Sequence, residues 1–593
     1  MQDYSAPIED ILFVLNNLNS TSENENEEYS DPDLIKQIFE EAGKFASNVL
    51  APLNRVGDQE GISLENGLVR MPHGFVDAYN QYIKNGWASV AGAKEYGGQG
   101  MPWKIVGGLN EVWHAANMSF SLNMLLTQGA IEVIEAYGTE QQKQKYLPKM
   151  ISGEWSGTMN LTEPQAGSDL ALLKTKAQPY NGSYNLYGNK IYITHGDQDM
   201  SQNIIHLVLA RLPDAPEGSK GISLFISPKN LISKDGTLLE KNDVRVVSIE
   251  HKLGTLASPT CVLAYGDNEG ASAELIGPEN GGLKAMFTMM NNARLNVGIQ
   301  GVSIAERAYQ QALNFSLTRL QGNSIDGSTK ETVAIIDHPD VQRMLMDMKA
   351  RTEAMRALSL YSANELDLTK NALSEKAKQE AQENLDILTP IVKAWCTDQG
   401  VLIASTGVQV HGGMGFIEET GAAQHYRDAR ILPIYEGTNG IQALDLLRRK
   451  LTMDDGNVFK RFLNGMRNDA LKCTSIKGDI SYIGNKVINA INILEETADE
   501  LLSMWKSNKR HAASGATPFI DMCGSIFGGW MMAKSSLTAS QLLEKNKEDK
   551  FLHSKISTAS FYTDTILESS LSLKNVVINA HKNVDCIIKN IKN

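Results

Sequence analysis

Apolar residues recur every three or four positions through much of the first and last thirds of the chain, which predicts helices there. An apolar segment at residues 8–15 precedes an acidic stretch at residues 22–28, which suits a solvated connection. Pro32 stands like the first-turn proline of a helix, and helical patterns continue to about Lys149. We therefore expect an all-helical first domain.

From about residue 158 to residue 275 the pattern changes to short apolar or alternating runs. Residues 191–194 and 204–210 are two such runs, and turn clusters such as residues 181–183 separate them. This pattern is typical of β-strands.

Helical periodicity returns in the last half of the chain, again with apolar residues three or four positions apart. The repeating positions are Ile304, Ala308, Ala312, Phe315, Val341, Leu345, Met348, Met355 and Leu358. A further block has an almost heptad stripe of Ile483, Val487, Ile491, Leu494, Ala498, Leu501 and Trp505. We expect this stripe to face a core.

With 42% hydrophobic and 21% charged residues, the composition is that of a folded protein. A chain of 593 residues is too long for one hydrophobic core, so we expect several domains. A net charge of −13 argues against a general binder of nucleic acid or anionic membranes, although a local basic patch stays open. The beginning of the chain does not read as a secretion signal, and we expect no transmembrane helix. Five cysteines without a C-x-x-C pair suggest neither disulfides nor a zinc site, so we expect a cytoplasmic, reducing location and no metal.

Three segments have chemical character. Residues 159–169 (MNLTEPQAGSD) open the β region, and their small and hydroxyl residues leave backbone N–H groups free to approach a polar ligand, although this segment alone could be a simple turn. Residues 188–196 (GNKIYITHG) and 431–442 (ILPIYEGTNGIQ) follow. Together, and in this order, the three segments resemble the acyl-CoA dehydrogenase family.

The resemblance extends from about residue 36 to residue 450. It includes residues 95–100 (EYGGQG), 138–148 (GTEQQKQKYLP) and 408–416 (VQVHGGMGF). Residues 4–7, the segment 250–260 and about 140 residues after residue 450 look like a long bacterial branch of that family.

The resemblance implies an α+β fold with a helical domain, a β-barrel-like domain, a helical bundle and an extra helical domain. The expected segments are an N-terminal extension (1–35), the N-terminal helical domain (36–157), the middle β domain (158–277), a four-helix-bundle domain (278–450) and the additional C-terminal helical domain (451–593).

Removing the α-proton of a thioester requires a base, a hydride acceptor and stabilisation of the carbonyl oxygen. No side chain accepts a hydride, and the resemblance implies FAD for that task. Glu436 occupies the position of the family's catalytic base, and enclosure by an apolar substrate would raise its pKa and make it a better base. Some relatives carry the base just before the helix arginine, where this chain has Ala293, which cannot take a proton.

The resemblance also implies binding roles. The FAD contacts it implies are Leu161, Thr162, Ser168, Tyr192, Thr194, Arg319, Gln409, Gly412, Gly413, Thr438 and Asn439. The substrate contacts are Ser168, Arg294 and Gly437, and the backbone N–H of Glu436 would bind the thioester oxygen. Tyr192 stands where many relatives have tryptophan, and Asn439 departs from the pattern of shorter relatives. We expect His411 to be a packed, hydrogen-bonded residue rather than a catalytic one.

The partners implied are an acyl-CoA substrate, an electron-transferring flavoprotein as electron acceptor, and a second copy of the chain, with a dimer favoured. An acyl-CoA oxidase that uses dioxygen is one alternative. Another is a non-catalytic, nucleic-acid-associated member of the superfamily. From residue 451 onward the chain has 18 Lys+Arg and 15 Asp+Glu, a difference of +3, which is a weak basic footprint. A dimer partner or a cap replacing half of a tetramer is a third reading of that segment, and residues 119–126 are a candidate wall of the acyl pocket or ordinary helix core.

Overall fold

The computed structural model describes residues 4–19, 29–233 and 235–592, and it contains both helices and sheet. The helices are α1 (Ile8–Asn17), α2 (Pro32–Phe45), α3 (Ala51–Glu60), α4 (Phe75–Lys84), α5 (Trp103–Ala116), α6 (Met118–Tyr137), α7 (Glu140–Ile151), α8 (Gly282–Thr318), α9 (Pro339–Asn371), α10 (Glu375–His411), α11 (Ala422–Ala429), α12 (Asn439–Asp445), α13 (Asn457–Thr474), α14 (Asp479–Ser507), α15 (Lys509–Ser514), α16 (Ala516–Leu543), α17 (Lys550–Tyr562), α18 (Glu568–Ser570), α19 (Leu573–Asn579) and α20 (His581–Lys592). The strands are β1 (Ser63–Glu65), β2 (Leu68–Arg70), β3 (Trp155–Asn160), β4 (Lys176–Tyr180), β5 (Ser183–Thr194), β6 (Asn203–Ala210), β7 (Ser223–Pro228), β8 (Asn230–Ile232), β9 (Leu238–Lys241), β10 (Val244–Ile249), β11 (Thr260–Tyr265), β12 (Ala271–Ile276), β13 (Leu320–Asn323) and β14 (Thr332–Ala334). The predicted α+β class is confirmed.

Several predicted elements appear where the sequence pattern placed them. Helix α2 begins at Pro32, and the two apolar runs at residues 191–194 and 204–210 lie in β5 and β6. The acidic stretch at residues 22–28 lies outside the described residues.

The first segment is not all-helical, because it contains a β-hairpin of β1 and β2. Ser63 pairs with Arg70 and Glu65 with Leu68. The turn between them is Asn66-Gly67, and both residues have positive φ, at 52° and 75°. An Asn-Gly pair between two short strands is a strong hairpin signal, so the sequence contained this information.

The described residues divide into two compact units. The first unit comprises residues 1–5, 42–102 and 112–296, and the second comprises residues 6–41, 103–111 and 297–593, without the residues left undescribed in each. The division falls inside α2, α5 and α8. Helix α1, which lies in the segment expected to be an extension, belongs to the second unit.

The first unit contains an eight-stranded sheet with the order β10-β11-β5-β12-β7-β6-β3, and β4 pairs with β5. Among the described strands, β3 and β6 form the parallel pair of this sheet, which brings Asn160 opposite Val208. One face of this part of the sheet packs on α6 and α7, with Ile134, Met150 and Ile205 fully buried in the shared core. The packing fixes the end of β3, from which the segment beginning at Leu161 emerges.

The second unit is a set of packed helices around α9, α10 and α16. Close approach of α16 to α10 depends on glycine, since a β-carbon on Gly524 would lie 2.1 Å from Cγ of Trp395. In α14 the predicted stripe is buried from Ile483 to Leu501, as expected for a core-facing helix, whereas Trp505 is only half-buried.

Candidate active site

Two segments predicted to contact the flavin lie side by side in the first unit. The backbone N–H of Ile191 in β5 donates to the carbonyl oxygen of Thr162 at 2.9 Å. Leu161 and Thr162 are half-buried, and Tyr192 follows one residue after Ile191. The structure therefore brings Leu161 and Thr162 beside the strand that carries Tyr192 and Thr194.

Tyr192 has an unusual backbone and an open ring. Its φ is +59°, and 60% of the residue is exposed. A bulky residue such as tyrosine rarely adopts this left-handed backbone conformation, because it is sterically strained. Strained residues of this kind concentrate at functional sites. Ser168 is also exposed, farther along the same segment.

A buried ion pair that the sequence analysis did not single out fixes this arrangement. Lys190, with a fully buried side chain, donates from Nζ to Oε1 of Glu163 at 2.8 Å and to the carbonyl oxygen of Leu161 at 3.1 Å. Glu163 also accepts from Thr175 Oγ1 at 2.6 Å and from the backbone N–H of Lys174 at 2.7 Å. The two bonds from Lys190 link the 161–169 segment to β5.

The electrostatics of the pair follow from its surroundings. Burial alone would raise the pKa of Glu163, but the charge and hydrogen bond of Lys190 hold it at about 2. Burial lowers the pKa of Lys190 to about 8 despite the neighbouring carboxylate. Glu163 lies in the 159–169 motif and Lys190 in the 188–196 motif. The sequence alone does not distinguish a buried lysine from an exposed one, because burial depends on how the strand pairs within the sheet.

A chain of buried polar groups lies directly before the same segment. Tyr265 donates from its hydroxyl to Oδ1 of Asn160 at 3.0 Å, and Nδ2 of Asn160 donates to Oγ1 of Thr158 at 2.8 Å. Thr158 Oγ1 lies 2.7 Å from Nδ1 of His206, whose pKa burial lowers to about 3. This hydrogen-bonded series of side chains fixes the end of β3.

Glu436 lies in the second unit, on the segment between α11 and α12. It is half-buried and has a φ of +53°, and Gly437 after it has a φ of +82°. The Thr438 hydroxyl accepts from the backbone N–H of Ile441 at 3.3 Å and caps α12. Tyr435 before the glutamate donates from its hydroxyl to Oε1 of Gln300, and burial, with the nearby Glu436 charge, raises the pKa of Tyr435.

The side chain of Asn439 is buried and hydrogen-bonded within the protein, unlike that of a residue open to a cofactor. It is 8% exposed, and its side chain accepts from Nζ of Lys393 at 2.8 Å and donates to Oγ1 of Thr397 at 3.0 Å. Its amide is therefore engaged inside the helical unit.

Four further predicted FAD contacts of the second unit are open to solvent, namely Arg319, Gln409, Gly412 and Gly413. Arg319 follows α8, and Gln409 lies near the end of α10, both exposed. Gly412 has a φ of +60°, and a β-carbon on Gly412 or Gly413 would meet no atom within 4 Å. His411, which lies between Gln409 and Gly412, is packed as expected. Its Nδ1 lies 2.7 Å from the Gly407 carbonyl oxygen, and its ring stacks on that of Phe315 with the ring centroids 4.4 Å apart.

The remaining substrate candidate, Arg294, belongs to the first unit. It is 7% exposed, and its Nη1 donates to Oδ1 of Asn291 on the same helix at 3.4 Å. Its neighbour Ala293 is buried and has no ionisable group. Arg294 holding the substrate stays a prediction.

No group of three or more metal-ligating side chains occurs among the described residues. Within the same part of the chain, no helix is both long and apolar enough to cross a membrane.

Family models match almost the whole chain in four successive stretches. Residues 33–154, 158–267 and 280–451 match the N-terminal, middle and C-terminal domains of acyl-CoA dehydrogenase, and residues 463–584 match a model described as acetyl-CoA dehydrogenase C-terminal like.

Among full-length relatives, 3-methylmercaptopropionyl-CoA dehydrogenase of Ruegeria pomeroyi is 45% identical over 568 residues, covering 95% of this chain and 96% of the relative. Among solved structures, Caenorhabditis elegans ACDH-11 in complex with C11-CoA superposes with a TM-score of 0.77 at 20% identity, covering 97% of this chain and 95% of that one. An acyl-CoA dehydrogenase from Bacillus anthracis complexed with FAD gives a TM-score of 0.73 at 21% identity, with coverages of 98% and 93%. At these identities the two structures establish the shared fold alone.

Proposed function

The chain belongs to the acyl-CoA dehydrogenase family, whose members are FAD-dependent oxidoreductases, and from this premise we propose that Glu436 removes the α-proton of an acyl-CoA thioester. The product is the trans-2-enoyl-CoA. The observation that carries the proposal is the backbone of Glu436, which combines a φ of +53° with half-burial in the matched C-terminal domain. A strained glutamate at the motif position is better explained by a function than by stability, because strain of this kind costs about 1–3 kcal/mol.

The chain carries features that fit a flavin. In the first unit, Tyr192 presents an exposed aromatic ring, and a β-carbon on Gly167 would meet no atom within 4 Å, so the backbone there is approachable. Leu161, Thr162 and Thr194 complete the set proposed to hold the isoalloxazine ring. When bound, FAD accepts the hydride that leaves the β-carbon.

In the second unit, Arg319 and the open glycines Gly412 and Gly413 suit the phosphate and adenosine parts of the cofactor. An arginine fork pairs with two phosphate oxygens at once, and glycines let backbone N–H groups approach a ligand. Gln409 and the backbone of Thr438 are proposed to complete this part of the site.

The step assigned to the protein is a proton transfer. The Glu436 carboxylate accepts the proton as the Cα–H bond breaks, while the backbone N–H of the same residue stabilises the negative charge that develops on the thioester oxygen. Gly437 leaves room for the thioester beside the base, and Arg294 and Ser168 are proposed to hold the rest of the substrate. Two electrons and one proton leave the β-carbon as hydride, so the C–C single bond becomes a double bond.

We place the protein with dehydrogenases that pass electrons to an electron-transferring flavoprotein, and we propose a homodimer. The substrate panel must include a thioether acyl-CoA, because the 45% identical relative is named for 3-methylmercaptopropionyl-CoA. Formation of peroxide in air at the rate of substrate oxidation would instead identify an oxidase.

The first experiment is the visible spectrum of the purified protein without oxygen, before and after addition of short, medium, long and thioether acyl-CoAs. We expect a bound flavin whose absorbance is bleached by one class. A flavin that no thioester reduces would contradict the proposed function.

The second experiment replaces Glu436 by glutamine, which keeps the shape of the side chain but cannot accept the proton. We expect Glu436→Gln to retain FAD and thioester binding and to lose flavin reduction by several orders of magnitude. Glu419→Gln, at an exposed glutamate of the same unit, is the matched control and should react at the wild-type rate. Retained activity in Glu436→Gln would refute the assignment.

A further inference from the structure

The segment that carries Glu436 is fixed on both sides by buried polar side chains. We call residues 433–439 the base loop. The backbone N–H of Asn439 donates to the carbonyl oxygen of Pro433 at 3.0 Å and closes the loop on itself. Because this bond leaves the orientation of the loop within the unit undetermined, other contacts must set it.

The first anchor is Tyr435, immediately before the glutamate. Its hydroxyl donates to Oε1 of Gln300, a fully buried residue of α8. The Gln300 Nε2 atom is buried without a hydrogen-bond partner among the described residues, so the phenol is the contact that the structure gives this amide. Buried polar groups are usually hydrogen-bonded, and for Oε1 of Gln300 the partner is the Tyr435 hydroxyl.

The second anchor is Asn439, three residues after Glu436. Its Oδ1 accepts from Nζ of Lys393, and its Nδ2 donates to the carbonyl oxygen of Ala394 and to Oγ1 of Thr397, at 2.8, 3.0 and 3.0 Å. All three partners lie on α10, and Lys393 is fully buried. One side chain therefore joins the end of the base loop to a rigid helix by three bonds.

A weaker contact reaches the loop between the anchors. Gln442, which is fully buried, donates from Nε2 toward the carbonyl oxygens of Glu436 and Gly437 at 3.4 Å each. These are long hydrogen bonds, and they act on the two residues with positive φ.

We propose that Gln300, Tyr435 and Asn439 are positioning residues that hold Glu436 in its left-handed conformation and so aim its carboxylate at the α-proton. This inference rests on the proposed function of Glu436. It assigns Asn439 an anchoring role in place of the cofactor contact that the family resemblance implies, because its amide is already bonded to α10. Since displacement of a catalytic group by 1 Å costs about 100-fold in rate, loss of one anchor should affect chemistry more than binding.

The test uses two variants in the full-length protein loaded with FAD. Tyr435→Phe removes one hydroxyl and keeps the ring, whereas Asn439→Ala removes all three bonds to α10. Tyr426→Phe and Asn314→Ala, both at exposed positions of the same unit, are the matched controls. The measurements are the FAD dissociation constant, the acyl-CoA dissociation constant, and the anaerobic rate of flavin reduction against pH with normal and α-deuterated acyl-CoA.

In both variants we expect flavin reduction to slow by about 10–100-fold, with FAD and acyl-CoA affinity within threefold of wild type and a larger deuterium isotope effect. Tyr435→Phe keeps the inference testable if Asn439→Ala does not fold. Reduction rates within twofold of wild type in Tyr435→Phe would overturn it. Weakened FAD binding in Asn439→Ala, with a normal reduction rate once FAD is saturating, would also overturn it and restore the cofactor role.

These outcomes are distinct from failure of the proposed function. If wild-type protein is not reduced by any acyl-CoA, or if Glu436→Gln reacts normally, the function itself is wrong. If wild type reacts, Glu436→Gln does not, and both anchor variants behave like wild type, only the positioning inference is wrong.

Discussion

Arg356 is the centre of a buried charge cluster whose loss should destabilise the second unit. Its Nη1 lies 2.5 Å from Asp10 Oδ2, and its Nη2 lies 2.6 Å from Glu111 Oε1 and 2.7 Å from Glu306 Oε2. Lys555 approaches the other oxygen of Asp10 at 2.6 Å. Lys555 also lies 2.7 Å from Glu353. The four carboxylates of the cluster come from four helices: Asp10 from α1, Glu111 from α5, Glu306 from α8 and Glu353 from α9.

Replacement of Arg356 by methionine keeps much of the volume and removes the charge. Glu111 and Glu306 then lose the cation that contacts them, in surroundings where Arg356 is 1% exposed. Removing one partner of a buried ion pair costs about 3–5 kcal/mol. For a unit of this size, about 2 °C of melting temperature per kcal/mol gives a decrease of roughly 6–10 °C.

The loss should depend on pH in a definite direction. Burial already raises the pKa of Glu111 to about 7 against the attraction of Arg356, and without the arginine it rises further. Between the unfolded pKa of about 4.5 and this raised value, the folded state holds a proton that the unfolded state has released, so stability falls as pH rises. The deficit of Arg356→Met should therefore be larger at pH 8 than at pH 5.5.

The assay is thermal unfolding followed by circular dichroism at both pH values. Arg343→Met is the control, because Arg343 pairs with Asp340 on the surface with both side chains at least 60% exposed, and it should shift the melting temperature by less than 1 °C. The double variant Arg356→Met with Glu111→Gln should recover part of the loss. A melting temperature of Arg356→Met within 2 °C of wild type at pH 8 would refute the reasoning.

Three further predictions follow from particular contacts. Gly524→Ala places a β-carbon 2.1 Å from the indole of α10 and should cost about 1–3 kcal/mol by thermal unfolding, whereas Gly465→Ala, with no atom within 4 Å, should be neutral or stabilising. Burial lowers the pKa of His206 to about 3, so the folded state binds this proton only at a lower pH than the unfolded state does. The stability of the protein should therefore fall as the pH drops from about 6.5 toward 3. His206→Gln should reduce this pH dependence of the melting temperature. Lys190→Met should weaken FAD binding and destabilise the protein more than the double variant Lys190→Met with Glu163→Gln. The reason is that only the single variant leaves the buried Glu163 carboxylate without its cation. Equal effects of the two variants in FAD titration and thermal unfolding would contradict this prediction.

Local patterns predicted several of the helices and strands. The start of α2 at Pro32, the strands β5 and β6, and the buried stripe of α14 all follow from residue type and period over a few turns or a few alternating positions. The hairpin of β1 and β2 was missed although its Asn66-Gly67 turn was legible in the sequence.

The candidate base could also be identified from sequence, since the motif around Glu436 is contiguous and belongs to a family whose models match the chain. Its left-handed backbone could not be identified in this way, because a non-glycine residue adopts that conformation only when surrounding contacts impose it. The same holds for Asn439, for which the motif suggested a cofactor and the structure shows bonds to Lys393 and Thr397.

By itself the sequence determined the succession of helical and β regions and the family to which the chain belongs, because period, turn residues and motifs act within short stretches. Tertiary structure alone decided which distant polar groups meet. Asp10 and Arg356 are 346 positions apart, and Asp10 and Lys555 are 545 apart, yet each pair forms a buried hydrogen bond. A charged residue on a helix carries no local sign of burial, since its partner is supplied by whichever helix face packs against it, and that choice is made by the folded core.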